Sequence, residues 1–259
     1  MSDRRSRQKE QRAAKKAAEK KQEARRELRK RLTTALGFGA VVVGILVITG
    51  FFSSDGLSST YENYRSQPTS CDGEQPQEAE VLEFETPEVQ ADLEGADSAR
   101  AIIETSCGPI EIDLDLSYPA TVNSFVFLAR EGYFDGQVFH RILADFYVQG
   151  GDPKADGTGG PGYQVPDEFP PAGFAYDEGV VAMANRGKGT TGSQFFIVVG
   201  DSAGSLLPQF NILGVITSGQ DTLDLIEAVD TARRPGSVEE SLPLETVYIN
   251  RVTIEITGS

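Results

Sequence analysis

Residues 139–152 bring a cation, aromatic rings and an amide close together in the sequence. Period-two alternation predicts two short strands here, joined by a polar turn at Ala144-Asp145. The residues expected to converge on one patch are Phe139, Arg141 and Leu143 from the first strand, and Tyr147 and Gln149 from the second. An arginine in such a patch cannot act as a base, because guanidinium keeps its protons, but it can donate directed hydrogen bonds.

Residues 183–197 repeat this design about 30 residues further on. Alternation predicts that Gln194 and Phe196 share one face of a strand, while Phe195 and Ile197 take the other. A second amide and a second aromatic ring are therefore available to the same patch.

The sequence excludes several other kinds of catalytic site. His140 is the only histidine, there is no G-x-S-x-G motif, and an ordinary zinc site lacks ligands. Because His140 alternates away from Arg141, we expect it to be a structural residue. Two G-x-G-x-x-G matches, at 157–162 and 187–192, do not lie between a strand and a helix and are interpreted as loops. We expect neither a metal nor a cofactor.

Five motifs, in matching order and spacing, resemble those of the cyclophilin-type peptidyl-prolyl cis-trans isomerases, over residues 99–256. They are FHRI at 139–142, QGGD at 149–152, DGTGG at 156–160, MAN at 183–185 and GSQFFI at 192–197. The resemblance implies a closed eight-stranded antiparallel β-barrel capped by two α-helices. The many short strands and two helical patterns also favour such a barrel.

The resemblance also implies roles for individual residues. Arg141 would be the hydrogen-bond donor to the prolyl nitrogen, and Gln149 would orient it. The residues expected to bind substrate are Phe146, Tyr147, Gly157, Ala184, Asn185, Gln194, Phe196, Leu206 and Phe210.

Some of these positions depart from the family pattern. Tyr147 and Phe210 stand where many relatives carry Met and His, Ser205 falls near the place of a Trp, and Arg186 replaces a small residue. The resemblance predicts isomerisation of X–Pro bonds. The composition and layout of the whole chain resemble those of bacterial membrane-anchored cyclophilins, so we expect the substrates to be exported or envelope proteins. The alternative is a binding module that holds proline-containing partners with little turnover.

The elements that must position these residues follow from the flanking patterns. Gly108-Pro109 predicts a turn between strands at 101–106 and 110–116. Helices are predicted at 119–131, capped by Ser117 or Thr121, and at 222–229, and a closing strand at 246–256. We expect this domain, residues 99–259, to be monomeric.

The N-terminal region differs in composition from this domain. Residues 1–31 contain fourteen Lys and Arg against five Asp and Glu, whereas the whole chain carries −15. This basic tail could contact nucleic acid, anionic lipid or acidic partners, but we interpret it as a solvated tail. The acidic remainder disfavours nucleic acid as its partner.

The uncharged run from Thr33 to Phe52 has twenty residues, enough to span the ~30 Å hydrocarbon core of a bilayer as a helix. We predict a transmembrane helix at 32–53, with a cleaved signal peptide as the alternative. Basic residues on its N-terminal side place the tail in the cytoplasm and the domain outside.

Residues 54–98 are rich in Gln, Glu, Pro and Ser and are predicted to be an acidic, flexible tether. A short apolar alternation at 81–84 could dock on the domain edge. Cys71 and Cys107, both beyond the membrane, can form a disulfide in an oxidising compartment, or remain as two thiols.

Overall fold

The computed structural model describes residues 61–234, 236 and 238–258. The predicted basic tail and the predicted transmembrane helix at 32–53 lie outside this range. Within it, no helix is both long enough and apolar enough to cross a membrane.

The described residues form one large antiparallel sheet and a small one. The large sheet has eight strands in the order β10-β1-β2-β7-β5-β6-β4-β3, and β8 pairs only with β9. The strands are β1 Ser98–Thr105, β2 Gly108–Leu114, β3 Arg141–Leu143, β4 Tyr147–Gly150, β5 Val180–Met183, β6 Phe195–Val198, β7 Ile212–Ser218, β8 Thr231–Arg233, β9 Glu240–Pro243 and β10 Ile249–Thr257.

The predicted hairpin at the start of the domain exists, but its turn lies at Ser106-Cys107. Gly108 and Pro109 belong to β2 and pair with Thr105 and Glu104, respectively. The Thr105 hydroxyl explains the shift, because it donates to the Gly108 carbonyl at 2.7 Å and accepts from the Cys107 amide at 3.1 Å.

The predicted closed barrel is corrected to a curled half-barrel. The edge strands β3 and β10 do not pair with each other. The segment at 136–139 lies beside the start of β10, where Gly136 and Phe139 donate to the carbonyls of Ile249 and Val247 at 2.8 and 3.0 Å. The interior contains the buried rings of Phe125, Phe134, Phe139 and Phe195.

Among the described residues, three α-helices accompany the sheet: α1 at Tyr61–Arg65, α2 at Pro119–Arg130 and α3 at Gln220–Glu227, of which α2 and α3 were predicted. The cap predicted from Ser117 or Thr121 is wrong. Glu168 accepts hydrogen bonds from the amides of Ala120 and Thr121 at 3.0 and 2.8 Å. A carboxylate suits this place, because the first amides of a helix lack partners and carry partial positive charge.

The flexible tether predicted at 54–98 is corrected over its described part, residues 61–97, which pack along the domain. We call this segment the strap. It begins with a short helix, α1 at Tyr61–Arg65, in which Tyr61 and Tyr64 are buried. Their hydroxyls donate to the carbonyls of Gly136 and His140 at 2.7 and 3.0 Å. The strap also runs so close to Gly136 that a Cβ there would lie 2.9 Å from the Ala79 nitrogen.

The apolar alternation at 81–84 does dock on the domain. Phe84 packs edge-on against Phe127 of α2, with ring centroids 5.0 Å apart, and its amide donates to the Pro161 carbonyl at 2.8 Å. Further along, Asp92 pairs with Arg130 at the end of α2.

Cys71 and Cys107 are disulfide-bonded in the structure, with Cα atoms 5.0 Å apart. The bond joins the strap to the turn between β1 and β2. Because it closes a loop with a sequence separation of 36 residues, it restricts the unfolded chain.

Replacing both cysteines by serine is expected to lower the free energy of unfolding by roughly 2–4 kcal/mol, measured by guanidinium denaturation with reduced wild-type protein as control. Non-reducing mass spectrometry of native protein should recover a linked Cys71–Cys107 peptide. Alkylation of both thiols without reductant would contradict the bridge.

Candidate active site

The pairing of β3 with β4 sets Arg141 directly opposite Gln149. The Arg141 Nη1 donates to Gln149 Oε1 at 3.3 Å. The predicted turn is confirmed: Asp145 adopts φ 60°, a left-handed conformation that Asp tolerates better than most residues. Gln149, the amide to which the resemblance assigns the orienting role, thus lies within hydrogen-bond distance of Arg141.

A chain of amides determines which end of Gln149 faces the arginine. Gln149 Nε2 donates to Gln194 Oε1 at 2.9 Å, and Gln194 Nε2 donates to the Gly159 carbonyl at 2.9 Å. Since each nitrogen is committed to the next acceptor, Gln149 presents its oxygen to Arg141.

Glu239 is a second partner of Arg141 that the sequence analysis did not find. Arg141 Nε donates to Glu239 Oε1 at 2.8 Å, and Nη2 donates to Oε2. The arginine also lies over the Tyr147 ring, with Cζ 5.1 Å from the centroid. Glu239 occurs in a loop next to Glu240, where no periodicity or motif distinguishes the two glutamates.

These contacts keep Arg141 and Glu239 in their charged forms. Burial alone would lower the pKa of Arg141, but the Tyr147 hydroxyl and the Glu239 carboxylate outweigh it and raise that pKa. Burial would likewise raise the pKa of Glu239, but its bonds to Arg141 hold it below the ordinary value. The pair is therefore ionised at neutral pH.

Aromatic side chains form a partly buried cluster beside the arginine. Tyr147 packs between Phe146 and Phe196, with ring centroids 4.6 and 5.2 Å away, and Phe210 meets Phe196 edge-on at 5.4 Å. The partly buried side chains of this cluster include Phe146, Ala184, Leu206 and Phe210. The structure thus brings these predicted pocket residues together around Phe196.

The remaining predicted site residues lie on two loops beside the pocket. Asn185 Nδ2 donates to the Gln209 carbonyl at 2.8 Å, and the Ala184 amide donates to the Gln194 carbonyl at 2.8 Å. Across from them, Arg186 Nη2 donates to the Gly157 carbonyl. Ser205 is exposed at the end of a short 3₁₀ helix, Asp201–Ser205.

Phe139 is a correction to the predicted patch. It precedes β3 and does not follow the alternation of that strand. Its ring packs in the interior against Phe195, with centroids 6.1 Å apart. The predicted faces of β6 are confirmed, since Phe195 and Ile197 lie in the interior and Phe196 in the pocket cluster.

The family model described as "Cyclophilin type peptidyl-prolyl cis-trans isomerase/CLD" matches residues 100–254. The chain belongs to this cyclophilin family. In agreement with several curated relatives, it is a peptidyl-prolyl cis-trans isomerase.

Among these relatives is peptidyl-prolyl cis-trans isomerase B of Streptomyces anulatus, 39% identical over 177 residues that cover 62% of this chain and 98% of that protein. A probable peptidyl-prolyl cis-trans isomerase B of Mycobacterium tuberculosis is 41% identical over 152 residues, covering 53% of this chain and 48% of the relative.

Among solved structures, a cyclophilin type peptidyl-prolyl cis-trans isomerase of Cryptosporidium parvum aligns with TM-score 0.55 and 29% identity, over 61% of this chain and 98% of that one. A structure of the same protein in the presence of the dipeptide Ala-Pro aligns with TM-score 0.54, over 60% of this chain and 98% of that one.

His140, next to the arginine, is buried at 1% exposure, as expected of a structural residue. It is not fully satisfied, however, because its Nδ1 has no hydrogen-bond partner among the described residues. Burial, together with the charges of Arg234 and Arg141, lowers its pKa from 6.5 to about 3. The ring is therefore neutral in the folded protein.

This buried histidine should make folding sensitive to acid. Between pH 6.5 and about 3, His140 is protonated in the unfolded chain but stays neutral in the folded protein. As the pH falls through this window, the free energy of unfolding should therefore decrease by up to about 1.4 kcal/mol per pH unit. Denaturation of His140→Gln beside wild type should show a shallower decline, and equal slopes would contradict the assignment.

Proposed function

We propose that Arg141 accelerates X–Pro rotation by donating a hydrogen bond to the prolyl nitrogen. The amide resists rotation by ~18–20 kcal/mol, because its nitrogen shares a lone pair with the carbonyl. In the twisted transition state this conjugation is lost, and the nitrogen becomes a hydrogen-bond acceptor. A donor aimed at it binds the transition state more strongly than either ground state.

The observation that carries this proposal is the fixed guanidinium at the side of the aromatic cluster around Phe196. Gln149, Glu239 and the Tyr147 ring hold it on three sides. A preorganised donor spends little free energy on reorientation during the reaction, which is the main source of such electrostatic catalysis. The step uses no nucleophile.

The neighbouring pocket supports a proline-containing peptide as substrate. In this proposal the proline ring lies among Phe146, Phe196, Leu206 and Phe210, where an apolar ring is favoured over water. The Cryptosporidium structure with Ala-Pro is consistent with a dipeptide of this chemistry as a ligand of the fold. In this proposal Tyr147 has two roles: its ring supports the Arg141 guanidinium, and it also forms part of the wall that contacts the proline.

The two loops beside the pocket would hold the peptide on either side of the proline. Asn185 and Gln194 are placed to position its backbone, and Ala184 and Gly157 border the adjoining groove. Arg186, bonded to the Gly157 carbonyl, places a positive charge at this border. This charge would favour an acidic side chain there.

The substrates we propose are exported or envelope proteins. In this proposal residues 32–53 anchor the domain to the membrane, and the domain binds its substrates outside it. The basic and apolar segments of the sequence support this orientation. A disulfide between strap and domain is compatible with an oxidising compartment.

Replacing Arg141 by Ala is expected to lower kcat/KM for a short X–Pro peptide by ~10²–10³, the scale of removing one preorganised donor. Cis-trans exchange would be followed directly, and thermal unfolding would verify that the variant folds. Arg100→Ala is the matched control, because Arg100 pairs with Glu111 and Asp113 on the neighbouring strand β2 and has no bond to the site.

An Arg141→Ala variant with wild-type rate would refute this mechanism. If wild-type protein binds the peptide without accelerating exchange, the domain is the alternative tethered binding module. In that case Tyr147 and Phe210 are the first residues to substitute.

The location can be tested separately by expressing the whole chain and fractionating the cells. We expect it in the membrane fraction, with the domain accessible to protease from outside. Recovery of the domain in the cytoplasmic fraction would contradict the proposed orientation.

A further inference from the structure

Glu239 belongs to none of the motifs that led to the site, yet it makes the most extensive polar contact of the arginine. It lies in the loop between β8 and β9 and reaches Arg141 across a sequence separation of 98 residues. Its side chain is 21% exposed and that of Arg141 is 29% exposed, so both are largely shielded from water. An ion pair shielded in this way is stronger than one on the open surface.

Residues of its own hairpin fix the position of Glu239. Ser241, whose side chain is fully buried on β9, donates its hydroxyl to Glu239 Oε1. The Arg234 amide donates to the Glu239 carbonyl at 3.0 Å and closes the loop. A carboxylate fixed in this manner can in turn fix its partner.

The hairpin that carries Glu239 is anchored to the rest of the domain. Arg234 Nη2 donates to the His140 carbonyl at 2.8 Å, immediately before Arg141. Leu242 packs against the buried cluster that includes Tyr61 and Tyr64 of the strap. The position of Glu239 relative to β3 is therefore set by contacts on both sides of the hairpin.

The geometry of the contact leaves the arginine able to donate. Guanidinium has five N–H groups: one on Nε and two on each terminal nitrogen. Glu239 takes the Nε hydrogen and one on Nη2, and Gln149 takes one on Nη1. These two partners leave one N–H on each terminal nitrogen, and the Tyr147 hydroxyl is a further neighbour of the guanidinium. The Glu239 carboxylate thus binds the edge of the guanidinium fork formed by Nε and Nη2. It does not occupy the tip of the fork, which is the edge between Nη1 and Nη2.

We propose that Glu239 is a positioning residue for Arg141, which holds the guanidinium plane so that a terminal N–H points at the prolyl nitrogen. This inference rests on the proposed function of Arg141. The opposite effect, in which Glu239 shields the arginine from substrate, would require the carboxylate to occupy the tip of the fork. Instead it occupies the Nε side, and the two effects predict rate changes of opposite sign.

The test is the Glu239→Gln variant, with Glu240→Gln as the matched control. Glu240 is the neighbouring glutamate, exposed on the same hairpin. The amide can still accept one hydrogen bond, but it loses the charge and places an NH₂ group against a donor. We expect kcat to fall about tenfold, the equivalent of one charge-assisted hydrogen bond, with KM within about twofold and Glu240→Gln close to wild type.

Thermal unfolding and a double-mutant cycle distinguish a role in positioning Arg141 from a general role of Glu239 in stability. If Glu239 acts only through the arginine, Glu239→Gln should have no further effect on exchange in an Arg141→Ala background. An additional loss there, an unchanged or raised kcat in the single variant, or a change confined to KM would each overturn the proposal.

The outcomes for the two proposals separate cleanly. If Arg141→Ala retains the wild-type rate, the mechanism proposed for the arginine fails. If Arg141→Ala loses activity while Glu239→Gln and Glu240→Gln both match wild type, the mechanism stands and only the role of Glu239 fails.

Discussion

The antiparallel pairing of β4 with β3 on one side and β6 on the other is the constraint on which the site depends. It places Arg141, Gln149 and Phe196 in one row across three strands. Because side chains alternate with period two, this row faces the pocket while Val148 and Ile197 face the interior. A register slip of one residue would bury the arginine and expose the core. The apolar interior therefore enforces the geometry of the polar site.

The arginine itself is stabilised by a combination of contacts that no single strand could supply. Gln149 comes from the neighbouring strand, the Tyr147 ring lies beneath the guanidinium, and Glu239 arrives on a separate hairpin. A cation beside an aromatic pocket loses water and must recover that free energy from paired partners. The same partners limit the motion of a long, flexible side chain. Stability and orientation of the donor have a common physical origin here.

The strap shows how a polar segment can be ordered without a large apolar face. Its tyrosines bury their rings and donate to backbone carbonyls, and Phe84 packs on α2. Arg130 and the Cys107 sulfur provide two further attachments. Several of these contacts fall near residues 136–140, the segment that bonds to Val247 and Ile249 and leads into β3. The strap therefore supports the strand that carries the arginine.

Local pattern was sufficient for the features that depend on neighbours in the sequence. Alternation predicted the faces of β6, and the resemblance carried by ordered motifs implied both the pairing of Arg141 with Gln149 and the grouping of residues around Phe196. Contacts between distant segments were decided only by the tertiary structure. Glu239 cannot be told from Glu240 in the sequence, and Glu168 lies far along the chain from the helix that it caps. Composition likewise predicted a tether where distant tyrosine contacts produce an ordered strap. Periodicity reports which face a side chain takes, but a partner brought by a separate loop is known only once the chain has folded.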